Sequence, residues 1–353
     1  MTKKILQICA YAAPYPGNFI ASLLALEKKA MNAGYETIYC FPYTAKSTDW
    51  CEALSRQSKV ILLPLSKARI NPKTYFLLHK IFIQNPDIEI AHSHFELYDI
   101  PLVVTAPKNI RIFWHVHDAI GNYLHGLYKV VWKIHYGWFS RKAMVLSVSE
   151  KHLEVVKRLG VKDNRIIYVP NAIETQRIKQ VNADRKTDTD LLIMGWDYYR
   201  KGVDLAVNAV SQMGINCSLG IIGLPYCSVS GSHSNIINIT PSNDINLLFS
   251  STKCFLHISR AEGLSYALLE AIYAGLPVIV SDIKENLIAK EFPTAIIVRS
   301  ESVEDIKLAI QLLKSKNYVI PKQDVEASRK IIESKYSIEV WVKRILELYF
   351  VHA

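Results

Sequence analysis

No two cysteines in this chain have the Cys-x-x-Cys spacing. The six stand singly at positions 9, 40, 51, 217, 227 and 254, which argues against zinc fingers and dithiol chemistry. Several fall in apolar runs that read as strands, where a reduced cysteine is a small core residue. That usage fits a reducing compartment. No apolar run is long enough to cross a bilayer as a helix. The opening Thr2-Lys-Lys-Ile-Leu-Gln-Ile-Cys9 starts like a secretory leader, but Gln7 interrupts it and Pro14 follows soon after. It reads better as a strand followed by a loop. Internal repeats and low-complexity runs are lacking too. The formal net charge of +10 calls for an acidic partner. With no zinc finger, RNA-binding strand signature or long basic tail, nucleic acid ranks behind phosphorylated substrates and anionic lipid. His-x-His pairs occur at 92/94 and 115/117, yet no clear carboxylate or cysteine set accompanies them. No metal and no cofactor is expected.

What the chain does have is length, apolar content and alternation. Its 353 residues, half of them hydrophobic, suffice for two domains. Short apolar runs at 4–9, 37–41, 60–63, 88–91, 111–116 and 145–149 are separated by helical stretches. A second series stands at 191–194, 219–223, 236–240, 254–258, 278–280 and 295–298. Strand, loop, helix, strand is the unit of an open parallel sheet. The polar run 182–190 is a surface loop or linker. The expected division is a first Rossmann-like domain over 1–172, a second over 173–330, and amphipathic helix at 331–353.

The most informative stretch is 259–282. Ser265 suits an N-cap, because its hydroxyl can take a free backbone N–H. A helix is predicted over 266–274, closed by Gly275, with Pro277 preventing its continuation. Glu262 precedes the helix, beside the amides of Gly263, Leu264 and Ser265. Such a group of N–H donors suits an anion, above all a phosphate. Glu270 lies on the second turn, where a carboxylate can accept from a diol such as ribose. Taken singly, each acid is better read as a dipole cap or a solvated surface charge; together with Gly263, Gly275 and the strand that follows, the two favour the functional reading.

This stretch resembles the C-terminal signature of glycosyltransferase family 4, retaining and metal-independent enzymes of the GT-B fold. A Glu, seven residues, a second Glu, Ala and a Gly-x-Pro-Val strand start are all present. The resemblance implies two Rossmann-like doubly wound domains facing across a cleft, with a C-terminal helix crossing back to the first. Glu262 and the amides behind it would hold donor sugar and diphosphate, and Glu270 the ribose. Arg200-Lys201-Gly202 matches the family's Lys-Gly after the first strand of the second domain. Lys201, aided by Arg200, would carry charge that grows on the leaving diphosphate. The family often has Gly-Arg directly after that strand, and this chain has Gly195-Trp196. Gly17, in the loop after the first strand, would face the donor diphosphate. His117, in the His-Asp after 111–116, would reach donor or acceptor sugar and is preferred to His115.

The implied activity is sugar transfer from a nucleotide diphosphate sugar, a UDP-sugar by base rate, to a hydroxyl of a glycan or lipid-linked acceptor. Bacterial surface polysaccharide or lipopolysaccharide assembly is the expected setting. Two stretches rich in bases and aromatics, 67–82 and 123–142, read either as amphipathic helices with Val130, Val131 and Ile134 turned inward or as membrane-surface elements. Together they favour the second reading, hence a cytoplasmic enzyme at the inner face of the membrane. The rivals are a nucleotide-sugar epimerase, which would turn over donor without acceptor, and a non-catalytic GT-B partner subunit, which would bind none.

Overall fold

The computed structural model describes residues 2–117, 126–182, 185–223, 235–242, 244–315 and 320–350. Cys227, Asp118 and Tyr123 lie outside them. The chain forms two compact units, Met1–Ala172 with Ile338–Ala353, and Ile173–Ser337.

The first unit holds strands β1 (Lys3–Cys9), β2 (Tyr35–Pro42), β3 (Lys59–Leu63), β4 (Ile88–His94), β5 (Arg111–Val116), β6 (Ala143–Ser147) and β7 (Ile166–Tyr168). They make one seven-stranded sheet in the order β3-β2-β1-β4-β5-β6-β7, with parallel pairing throughout. The strands are apolar almost end to end because helices cover both faces of the sheet. One core gathers Leu6, Leu78, Trp114 and Tyr136. The other gathers Ile5, Ile90 and Phe113 with Trp341, Ile345 and Tyr349 of the helix Ile338–Phe350. That helix packs on the helix Gly17–Asn32, and the Arg111 guanidinium donates to its last carbonyls, Leu348 at 2.9 Å and Tyr349. The division after Ser337 departs from the expected 331. The helix Lys322–Lys335 packs on the helix Tyr266–Ala274, so 331–337 stays with the second unit.

The second unit contributes β8 (Thr189–Met194), β9 (Leu219–Ile222), β10 (Ile236–Ile239), β11 (Thr252–His257), β12 (Val278–Ser281) and β13 (Ala295–Val298). Their order is β10-β9-β8-β11-β12-β13, again all parallel. Both sheets reverse direction of winding beside their first strand, between β1 and β4 and between β8 and β11. Open α/β sheets bind ligands at the carboxyl ends of strands flanking such a reversal.

Of the two readings of 123–142, the one that turns Val130, Val131 and Ile134 inward does not hold. The helix runs Gly126–Gly137, and Val130, Val131 and Ile134 are about half exposed, at 51%, 48% and 50%. The inward side is Tyr136 and His135, with Trp132 partly buried against the core. His135 reaches the carboxylate of Asp99 at 3.1 Å, both groups buried. Because that partner satisfies its ring, a polar residue takes the inward face and the β-branched residues are left outside.

Candidate active site

In the second unit, the loops leaving β8 and β11 are pressed together at the reversal point. Gly202 has a φ of 72°, and a Cβ there would lie 2.3 Å from the Ile258 carbonyl. Only glycine admits both the conformation and the approach. The amide of Arg260 donates to the Arg200 carbonyl at 2.8 Å, and the Arg260 guanidinium grips Asp204 at 2.7 and 2.8 Å. These contacts fix Lys201 against Glu262.

Lys201 donates to Glu262 Oε1 at 2.5 Å, with both side chains buried. Arg200 Nη1 stands 3.7 Å from the other carboxylate oxygen. Burial alone would raise the Glu262 carboxyl. Lys201 above all, then His257, more than offset that and hold it at about 2. Glu262 is therefore ionised at neutral pH. His257, at the end of β11, has Nε2 4.0 Å from Glu262. Burial pushes it down to about 4 although Glu262 pulls the other way, so it is neutral. Nothing in the spacing of the sequence singled out His257.

Behind Glu262, the amides of Gly263 and Ser265 have no protein partner among the described residues. The Ser265 hydroxyl accepts from the Leu268 amide at 3.4 Å and caps the helix Tyr266–Ala274, which Gly275 closes as predicted. Glu270, on that helix, is buried rather than solvated. It accepts from the Arg177 guanidinium. Arg177 lies just past the apolar phrase 165–173 and is 93 residues from its partner, so no local pattern reveals the pair.

In the first unit, His117 follows β5 and is 6% exposed. Its Nδ1 faces Asn171 Oδ1 at 2.9 Å and its Nε2 faces His94 Nδ1 at 3.0 Å. The line continues from His94 Nε2 to Gln7 Oε1 at 3.0 Å, from Gln7 Nε2 to Tyr349 Oη at 3.0 Å, and on to His92 Nδ1 at 2.6 Å. Gln7, which interrupts the first apolar run, is thus the polar bridge of a buried network. His115 Nε2 faces the Val169 carbonyl at 3.2 Å, and its Nδ1 has no partner among the described residues. Burial drives His92, His94 and His117 well below 6.5, and His115 to about 4. All four are neutral at pH 7.

One nitrogen from each of His92, His94 and His115 lies within 4.8 Å of the others, the group among the described residues that could hold a metal. The rings of His92 and His94 stack at 4.1 Å and 29°. Stacked imidazoles aim their in-plane lone pairs side by side rather than at one point, and both nitrogens of His94 already face other side chains. His94 is thus taken up by hydrogen bonds, whereas His92 Nε2 and His115 Nδ1 have no partner among the described residues. Gly17 opens the helix Gly17–Asn32 with a φ of 54°, and a Cβ there would meet only Tyr11 Oη, at 3.6 Å. Its backbone conformation demands glycine whether or not a phosphate approaches.

Residues 22–177 match the family model described as Glycosyltransferase Family 4, and residues 174–337 the one described as Glycosyl transferases group 1. Together the two matches run from residue 22 to 337, and the chain is a glycosyltransferase. It is 31% identical over 124 residues to the lipopolysaccharide glucosyltransferase WaaG of Escherichia coli K12; that match spans 32% of this chain and 33% of the relative, about a third of each. Among solved structures it resembles sucrose-phosphate synthase from Thermosynechococcus elongatus, with a TM-score of 0.79, 15% identity and 98% of each chain covered. HepE of Anabaena, solved with UDP-glucose, gives 0.76 at 12% identity, covering 98% of this chain and 99% of that one. WaaG, a glycosyltransferase involved in lipopolysaccharide biosynthesis, gives 0.71 at 16% identity over 98% and 99%. These likenesses show the fold, the two-domain α/β architecture of GT-B glycosyltransferases.

Proposed function

We propose that this glycosyltransferase moves a sugar from a nucleoside diphosphate sugar, a UDP-sugar, to a hydroxyl of a glycan or lipid-linked acceptor, with retention at the anomeric carbon and without a metal. The observation that carries the reading is the Lys201–Glu262 pair at the reversal of the second sheet, flanked by Arg200 and backed by the amides of Gly263 and Ser265. Cations and amides fixed before the donor arrives are placed to absorb charge as the glycosidic bond breaks. Lys201 is the diphosphate's main counter-charge in this reading, Glu262 orients the sugar, Glu270 holds the ribose, and His117 contacts the transferred sugar or its acceptor. Leu264 and Gly17 line the donor diphosphate. The departing phosphate takes the acceptor proton on the same sugar face, as the family resemblance implies.

The name of WaaG supports lipopolysaccharide or related surface-glycan assembly as the setting. The first unit supports work at a membrane surface. Its helix Gly126–Gly137 exposes Tyr128, Val131 and Ile134, followed by exposed Trp138, among Lys129, Lys133 and Arg141. Its helix Pro72–Gln84 exposes Phe76 and Ile83 beside Lys73 and Lys80. Both helices pack on the same core, and the Arg69 guanidinium lies 4.9 Å over the Trp132 ring between them. No helix of the described residues is long and apolar enough to cross a membrane.

The deciding experiment is a thermal-shift screen of nucleotide sugars, followed by transfer to candidate acceptors and NMR of the anomeric proton of the product. A rise in Tm with a UDP-sugar, transfer unaffected by EDTA, and an unchanged anomeric configuration are expected. Turnover of the donor without acceptor would favour an epimerase instead, and a protein stabilised by no nucleotide sugar would be a partner subunit.

A further inference from the structure

The ring of Trp196 has no place in the roles assigned above, yet it is 61% exposed beside the cations of the site. It stands two residues past the end of β8. The Arg200 guanidinium lies 4.4 Å from its centroid and the Lys201 ammonium 5.1 Å. An exposed tryptophan is ordinarily a hydrophobic liability. One that faces two cations at the mouth of an anion site has an electrostatic use.

Consider what else holds those cations. Arg200 donates from Nε to Asp197 Oδ2 at 2.9 Å and from Nη1 to the Ala261 carbonyl at 3.2 Å. Lys201 donates to Glu262. Each cation thus already has a carboxylate partner, Asp197 or ionised Glu262, which cancels charge that an incoming diphosphate would need. An aromatic face differs from a carboxylate in this respect. Its quadrupole attracts a cation without carrying net charge. Nη2 of Arg200 has no protein partner among the described residues. The ring can therefore fix the guanidinium while leaving donors and positive charge available.

We propose that Trp196 is a positioning residue for the diphosphate of the donor: its ring holds Arg200 and Lys201 in the orientation that receives the phosphates, without neutralising them. The inference rests on the nucleoside diphosphate reading of this site and names the side chain that orders its cations. Trp196 acts through these two residues and needs no contact with the nucleobase.

The test is calorimetric binding of UDP, GDP, ADP and uridine to the full chain, for the wild type, Trp196→Leu, Trp196→Phe and Arg200→Gln. Trp196→Leu should weaken UDP about fivefold, the size of one partly exposed cation–π contact. Trp196→Phe should restore most of the loss. Uridine binding should be the same in all four proteins, since it carries no phosphate. In the Arg200→Gln background, Trp196→Leu should lose most of its effect, as residues acting through one another do. Equal UDP affinity in wild type and Trp196→Leu overturns the proposal. So does a parallel loss of uridine binding, which would make Trp196 a stacking platform for the base or a structural residue. A wild type that binds none of the three diphosphates overturns the functional reading itself.

Discussion

Glu262 stays charged inside the protein because Lys201 stands beside it, and the dependence runs both ways. On the proposed reading Lys201 is the main counter-charge for the diphosphate, so replacing it with methionine should lower kcat/KM by at least about a hundredfold, as when a preorganised electrostatic contact is lost. The same change leaves a buried carboxylate alone, which costs about 3–5 kcal/mol of stability. The two effects separate in Lys201→Met combined with Glu262→Gln, which should recover most of the stability and none of the transfer. Urea denaturation and a transfer assay together read both. A double variant as unstable as Lys201→Met would show that the pair does not carry the energy assigned to it. At this scale the sequence was informative where one residue type permits one role. Ser265 caps and Gly275 closes the helix at the predicted positions. It was silent on Arg177, His257 and Asn171, whose partners are assembled by the sheet and are not marked by spacing along the chain.

At the scale of elements, the strands were legible because each is a short apolar run in a sheet covered on both faces. The helix Gly126–Gly137 was not. Periodicity alone offers two apolar faces, Val130-Val131-Ile134 and Trp132-Tyr136. The choice between them depends on Asp99, which lies on a different element and draws His135 inward. The exposed face that results makes a direct prediction. Val131→Glu with Ile134→Glu should reduce binding to vesicles containing anionic lipid by at least about tenfold, given two lost apolar contacts and charge repulsion. Stability should change by less than about 0.5 kcal/mol, as for other surface substitutions. Co-sedimentation at low and high salt is the measurement. Binding that ignores salt or survives both substitutions would remove this face from the membrane. Tyr136→Ala, by contrast, should cost about 3–5 kcal/mol, because the ring is fully buried.

For the whole molecule, the histidines set the response to acid. His92, His94, His115 and His117 are held in the fold below their ordinary value of 6.5. The unfolded chain binds protons as pH drops through 6.5, and the folded one does so only at lower pH, for His115 near 4. Stability is therefore fully present above 6.5 and declines below it, by up to about 1.4 kcal/mol per pH unit for each histidine. The first unit stacks these four rings in one column and also holds His135 below its ordinary value, whereas the second holds His257. Hydrogen exchange at pH 7 and 5.5 should show β4 and β5 losing more protection than β11 and β12, after correction for the intrinsic pH dependence of exchange. Equal losses would mean that the column is not what acid attacks. The network has a further consequence for how the protein is made. Its Tyr349 is encoded after the whole of the second unit, so during translation Gln7 and His92 must wait for a partner while some 165 residues emerge and fold (173–337). The nascent first unit waits with part of one side of its sheet, the part not covered by the helix Gly17–Asn32, exposed, and a ribosome that stalls within that interval leaves a surface for chaperones to hold.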